Sequence, residues 1–271
     1  MNYPGWSDLN RDDASIVLPV GTGKPRDIGP VAIMVSAEPD LRYIKKNLKK
    51  GKSRSFFMST LFTPDNGEKG ISSVDSYSFT GPYMGAPYGA ALLESLIAKG
   101  AEKIIVLGWC GAVSPLLHAG DIVVPQTAIS DEGTSRHYME FAQEFPLVPS
   151  SSDFREILIR EMMKKDIPHH GGTIWTTDAI YRETKKKLAF FKGRGAVGVD
   201  MECAALFAIA KYRKKDIAAI LVVSDEVKDS GWKPGFRTKR FKDSRKKVAH
   251  VVLDICLTWE REKMIRNDCS V

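Results

Sequence analysis

Two stretches of this chain carry carboxylates in arrangements that could do chemistry. The apolar run 217–223 leads directly into Ser224-Asp225-Glu226. A carboxyl emerging from such a run is partly desolvated, which favours its neutral form and suits a general acid. The same position also suits a turn or a helix N-cap, where the acid accepts backbone N–H groups. The second stretch, Gly198-Val-Asp200-Met-Glu202-Cys-Ala-Ala205, has two acids two residues apart. On an extended backbone both project to one side, and such a pair can grip a sugar diol. Acids also favour the first turn of a helix, so capping is the competing reading.

Strands and helices must bring these residues together. Residues 31–35, 104–107, 121–125, 173–175 and 217–223 read as strands, and 77–79 as the end of another. Residues 41–50, 90–99, 153–165, 201–211 and 243–262 carry apolar positions at helical spacing, and Gly100 suits a C-cap. Turns are expected at 37–42, 108–112, 200–202 and 224–226, and in open α/β sheets ligands gather at such strand ends. The alternation runs the length of the chain with no linker, so one α/β domain is expected over 31–271, after an irregular Pro- and Gly-rich arm over 1–30.

Composition excludes other classes. The chain has 271 residues, of which 43% are hydrophobic and 27% charged, enough to build a sizeable core. No apolar stretch approaches the ~20 residues that span a bilayer, and no export signal opens the sequence. Four cysteines without a CxxC pair point to reduced thiols in a cytoplasm, not to zinc or disulfides. The net charge of +7 comes from short Lys/Arg runs without interleaved aromatics, which read as solvated helix faces and argue against nucleic acid as partner. His169 and His170 follow Pro168 in an expected turn, with no third metal ligand. His137 suits a pocket or a surface loop equally, and Cys110 suits a small buried thiol.

Taken together, the motifs resemble the nucleoside phosphorylase superfamily, which includes purine nucleoside phosphorylases, uridine phosphorylases and nucleosidases. The residues that carry the resemblance are 198–205 and Val222-Val-Ser-Asp225. Supporting stretches are Met84-Gly-Ala-Pro87, 100–113, 119–125, Glu132-Gly-Thr-Ser-Arg-His-Tyr138 and Thr176-Thr-Asp-Ala-Ile-Tyr181. The resemblance implies a single-domain three-layer α/β/α fold with a mixed, partly barrel-like sheet. It also implies a homo-oligomer, dimer-based and up to a hexamer, in which neighbours complete each other's sites.

The resemblance implies roles as well. Glu202 would accept from the ribose 2′- and 3′-hydroxyls, with Met201 and Met84 packing the sugar and Asp200 beside them. Asp225 would protonate N7 of the leaving purine. Ile180, Tyr181 and Ser224 would line the base, Ile180 standing where the family has an aromatic residue. The Gln and Arg with which uridine phosphorylases read uracil are absent from 181–186. The nucleophile's side departs from the pattern. Ala37-Glu38-Pro39 stands for the family's Gly-Asp-Pro, and Arg42 falls one residue out of register with the family's Arg. Around Gly108, Val106 and Trp109 stand where an Arg and a hydroxyl are expected. The implied reaction is phosphorolysis of a purine nucleoside, with inorganic phosphate as co-substrate and no cofactor or metal. The alternatives are hydrolysis of a nucleoside or of AMP, with Glu38 or Asp40 activating water, and a non-catalytic nucleoside-binding protein.

Overall fold

The computed structural model describes residues 15–19, 28–48, 51–64, 77–140 and 142–268, with 257–268 as backbone only. Most of the arm expected over 1–30 lies outside these residues. The first strand, β1 (Val31–Val35), is wholly buried, as a continuous apolar run covered on both faces should be. It leads into α1 (Glu38–Asn47), which starts earlier than the apolar spacing indicates. Pro39 sits in its first turn with Glu38 and Asp40, and Lys45 and Lys46 close it, matching the helix dipole at both ends.

A hairpin of β2 (Gly51–Phe56) and β3 (Ser59–Pro64), absent from the sequence-based expectation, precedes β4 (Tyr77–Gly81). Its exposed, polar β2 shows no clean alternation to read. Helix α2 (Ala86–Ala98) ends before Gly100, whose φ of 110° places it in the left-handed region that favours glycine. Next come β5 (Lys103–Ala112), β6 (Ile122–Asp131), the short β7 (Leu147–Pro149), α3 (Ser152–Met163) and β8 (His170–Thr177). The chain closes with α4 (Lys185–Gly193), β9 (Ala196–Asp200), α5 (Cys203–Tyr212), β10 (Asp216–Lys228), β11 (Gly231–Pro234) and α6 (Lys239–Asp268).

Two expected turns are corrected. Residues 108–112 continue β5, and 224–226 continue β10, because the two strands pair in parallel along their whole lengths. Each therefore finds backbone partners where composition alone suggested a break. The expected turn around His170 is likewise the start of β8.

One mixed sheet contains all the strands. Part of it closes on itself: β5 pairs β10, β10 pairs β6, β6 pairs β8, β8 pairs β9, and β9 returns to β5. The first half of β5 pairs β1, which continues the sheet through β4, β3 and β2. Helices α2 and α5 pack in one apolar cluster and α1, α3 and α6 in another, giving helices on both faces. Helix α5 is buried throughout 203–210, as an all-apolar helix must be. Cys110, Cys203 and Cys256 are buried and form no disulfide among the described residues, and no helix among them is long and apolar enough to cross a membrane.

Some of the basic residues are not simply solvated. Lys187 Nζ donates to Asp131 Oδ2 at 2.7 Å and lies over the buried Trp175 ring. Arg240 pairs with Asp121. Arg245 Nε donates to Asp40 Oδ1 at 2.7 Å while its guanidinium covers Trp109 and Phe241.

Candidate active site

The parallel register of β8 and β9 sets Thr176 against Asp200, so these strands end together. Asp200 serves the start of α5. Its Oδ1 accepts from Thr176 Oγ1 at 2.6 Å and its Oδ2 from the Cys203 backbone N–H at 2.8 Å. Thr176 Oγ1 also accepts from the Ala204 N–H at 3.0 Å. This is the capping that first-turn acids provide, and it occupies both Asp200 oxygens.

Glu202 has a different environment. Its Oε1 accepts from the Gly85 backbone N–H at 2.6 Å, across the loop that joins β4 to α2. Burial and the neighbouring Asp200 charge push the Glu202 carboxyl up to about 8. Burial also raises Asp200, against the donors that stabilise its charge.

Asp225 reaches the same end of the sheet through a β-bulge. The register of β10 against β5 shifts between Val223 and Asp225, setting Asp225 opposite Gly111. A bulge re-aims side chains in this way. Gly111 also pairs with Val199 of β9, so β5 separates Asp225 from the segment that ends in Asp200 and Glu202. Space there is tight: a Cβ on Gly111 would lie 3.1 Å from Val227 and 3.2 Å from both Asp225 Oδ2 and Val199, so these neighbours would have to give by a few tenths of an ångström. Gly111→Ala is therefore expected to displace the Asp225 carboxyl and lower kcat by about tenfold or more, with folding retained. Steady-state kinetics alongside thermal melting checks this.

Asp225 is well partnered. Ser224 Oγ lies 2.5 Å from Oδ1, and Trp232 Nε1 of β11 donates to Oδ2 at 2.7 Å. Its neighbour Glu226 is used differently. Lys228, then the further charge of Lys233, holds its carboxyl down at about 2, and His118 stands 3.5 Å away. The two acids of 224–226 therefore part company. Glu226 is locked in ion pairs, while Asp225 keeps neutral donors.

The nucleophile-side residues do not assemble into an anion cradle. Arg42 Nε donates to Glu38 Oε1 at 2.9 Å in an exposed i,i+4 pair on α1. Ala37 precedes that helix without capping it through a side chain. Trp109 Nε1 donates to Asp40 Oδ2 at 2.7 Å, and its ring packs edge-on against Phe241 with Phe236 nearby. Asp40 is buried and accepts from both Trp109 and Arg245, yet burial still pushes its carboxyl up. Gly108 lies close under Ser36 and Leu221, where an added Cβ would come within 3.1 Å of Ser36 Oγ and 3.3 Å of Leu221.

Arg245→Met should leave Asp40 as a buried charge with one neutral donor, costing about 3–5 kcal/mol of stability. Asp40 has a folded pKa above its unfolded one, so its ionisation opposes folding as pH rises. The loss in the variant should accordingly be larger in alkaline than in acid solution. Urea unfolding at both pH values checks the size and the sign.

The remaining expected residues lie on loops or strand ends. Met84, Ile180 and Tyr181 are exposed, Tyr181 almost fully, and Met201 is half-buried before α5. His137 is exposed on a 3-10 turn (Thr134–His137). Buried Glu132 anchors that turn by accepting from Ser130 Oγ, Thr134 N and Ser135 N at 2.6–3.0 Å, and from Ser135 Oγ. Sequence reasoning gave Trp232 and Glu132 no role of their own and did not connect Asp40, Trp109 and Arg245.

Comparison with known proteins bears on the same site. A family model described as phosphorylase superfamily matches residues 21–258. A DeoD-type purine nucleoside phosphorylase of Colwellia psychrerythraea is 34% identical over 157 residues, covering 56% of this chain and 64% of that protein. A guanosine phosphorylase of Halorubrum lacusprofundi is 31% identical over 140 residues, covering 52% and 57%. The chain thus spans less than two thirds of either relative. Among solved structures, a purine nucleoside phosphorylase of Toxoplasma gondii superposes with a TM-score of 0.73 at 18% identity, covering 93% of this chain and 99% of that one. An AMP nucleosidase of Bacteroides thetaiotaomicron gives 0.67 at 19% identity, covering 90% and 92%. At these identities the structural likeness is one of fold.

Proposed function

This chain belongs to the phosphorylase superfamily, and from that premise we propose that it cleaves the N-glycosidic bond of a purine nucleoside by phosphorolysis, releasing free base and ribose 1-phosphate. The observation that carries the reading is Gly111, with Asp225 opposite on one strand and the strand leading to Glu202 on the other. One acid then serves the base and the other the sugar. Glu202 accepts from the 2′- and 3′-hydroxyls, with Met201 and Met84 against the ring. Ile180, Tyr181 and Ser224 border the base. Asp225 delivers a proton to N7 as the bond to C1′ lengthens and positive charge develops on the sugar. The base then leaves neutral, and phosphate attacks C1′. General acid help of this kind contributes ~10²–10⁴-fold. The chain's own residues perform these steps without a metal or redox cofactor. Exposed Met84 and Tyr181 suit a homo-oligomer whose neighbouring subunit covers the mouth of the site.

Hydrolysis is the second reading, and one cluster favours it. Trp109, Asp40 and Arg245 bind one another where phosphate needs several charge-assisted donors. Asp40 has both oxygens engaged, which leaves Glu38, paired with Arg42 at the surface, as the acid to activate water. Incubation with inosine, adenosine and AMP, with and without phosphate, separates the readings. Phosphate-dependent release of ribose 1-phosphate supports phosphorolysis. Release of free ribose or ribose 5-phosphate at the same rate without phosphate overturns it in favour of hydrolysis. Ligand-dependent thermal stabilisation without turnover indicates a non-catalytic binding protein.

A further inference from the structure

Trp232 is 62% exposed on β11, yet both its backbone and its ring are tied down. The hairpin register sets Trp232 opposite Val227 and Pro234 opposite Asp225. Just beyond β11, Gly235 N donates to Ser224 O at 2.9 Å, and a Cβ on Gly235 would collide with Ala119 and with that carbonyl. Lys228 of β10 and Lys233 of β11 both pair with the buried Glu226. The Trp232 ring lies 6.3 Å from that of Phe236, which in turn lies 6.2 Å from Phe241 and 6.1 Å from Trp109. Phe241 and Arg245, whose guanidinium covers Trp109, belong to α6, so the hairpin is seated on the start of that helix.

A tryptophan left this exposed gains little from burial. What its placement fixes is one polar contact. Its Nε1–H donates to Asp225 Oδ2 at 2.7 Å and to no other acceptor among the described residues. The acid's other neighbour is less committed. Ser224 Oγ has one proton to share between Asp225 Oδ1, 2.5 Å away, and Cys110 O, 3.2 Å away. An indole N–H donates and never accepts, so it does not compete with N7 for the acid's proton, and its bond strengthens once a carboxylate is left behind. We propose that Trp232 is the positioning residue of the general acid: it fixes the Asp225 carboxyl towards the base and holds the charge that remains there after proton transfer. This rests on the reading of Asp225 as the residue facing N7. The proton passes from the Asp225 carboxyl to N7, and the electron pair of the bond to C1′ goes to the base. The carboxylate keeps the indole N–H on Oδ2 while Ser224 turns its hydroxyl to Oδ1.

Trp232→Phe keeps an aromatic ring on β11 and removes the N–H. On inosine it should lower kcat by about tenfold, the scale of one hydrogen bond to a charged group, with KM close to native. On inosine methylated at N7, whose base leaves without a proton, it should match the native chain. The loss should also disappear on an Asp225→Asn background, because residues acting through one group are not additive. A native rate for Trp232→Phe on inosine overturns the role of Trp232 and leaves the proposed reaction standing. Equal losses on the two substrates, or a further tenfold loss on top of Asp225→Asn, do the same. If Asp225→Asn alone runs at the native rate on inosine, the reading of Asp225 falls and the role of Trp232 falls with it.

Discussion

Replacing Glu202 with alanine should lower kcat/KM for a purine nucleoside by about 10²–10⁴-fold. A hydrogen bond to a charged group contributes about 1.5–3 kcal/mol, and the ribose diol offers two donors to one carboxylate. Alanine also removes the acceptor for the Gly85 N–H, so the loop between β4 and α2 loses its tie to α5. Glu202→Gln separates the two effects. It keeps an acceptor for Gly85 but not a charge, and should retain the fold while losing most of the activity.

A pH profile adds a readout that a structural role would not move. The Glu202 carboxyl is pushed up to about 8, chiefly by burial and further by Asp200, and only its ionised form accepts from both hydroxyls. Native activity should climb with pH through that range, and Glu202→Gln should lose this limb. Stability runs the other way. A carboxyl with a folded pKa above its unfolded value binds a proton on folding, so its contribution falls as pH rises from about 4.5 towards 8. Denaturant unfolding should show this slope in the native chain and a weaker one in Glu202→Gln.

Asp225→Asn is the second large effect, an expected loss of ~10²–10⁴-fold in kcat with substrate binding largely kept. Asparagine preserves the acceptor for Trp232 Nε1 but carries no acidic proton for N7. The loss should depend on the leaving group. A nucleoside already methylated at N7 has a cationic base that departs without help, so the variant should cleave it at close to the native rate. Equal losses on the methylated and ordinary substrates would remove Asp225 from proton transfer and leave it a positioning residue. Equal rates for variant and native chain on inosine would remove it from the mechanism.

Much of the scaffold was legible in the residues. The Val- and Ile-rich runs at 31–35, 104–107 and 217–223 are strands, as short β-branched runs covered on both faces should be. The apolar run 203–210, rich in Ala and Leu, is instead a buried helix, because those residues favour helix. Pairing lies beyond local pattern. The second halves of β5 and β10 looked like turns because Gly108, Gly111 and Asp225 are weak strand formers. They stay extended because each is a backbone partner for the other on both sides of the bulge at Ser224. Strand β2 and helix α4 escaped for the opposite reason: their exposed polar residues leave little apolar period to read.

The same division runs through the site. Residue types alone determined that acids at 200, 202, 225 and 226 stood beside apolar elements, and the family resemblance added that Val106 and Trp109 stand where an Arg and a hydroxyl are expected. Which partners each acid keeps was decided by the tertiary structure. Asp200 is consumed by Thr176 and Cys203, and Glu226 by Lys228, Lys233 and His118. Glu202 and Asp225 are left with neutral donors. Trp109 acquired its partners Asp40 and Arg245 in the same way. A carboxylate's chemistry depends on the charges and donors within a few ångströms of it. Some of those here are near in the chain, as Ser224, Lys228 and Trp232 are, but Thr176 and Gly85 stand 24 and 117 positions from the acids they bond, and only folding brings them within reach.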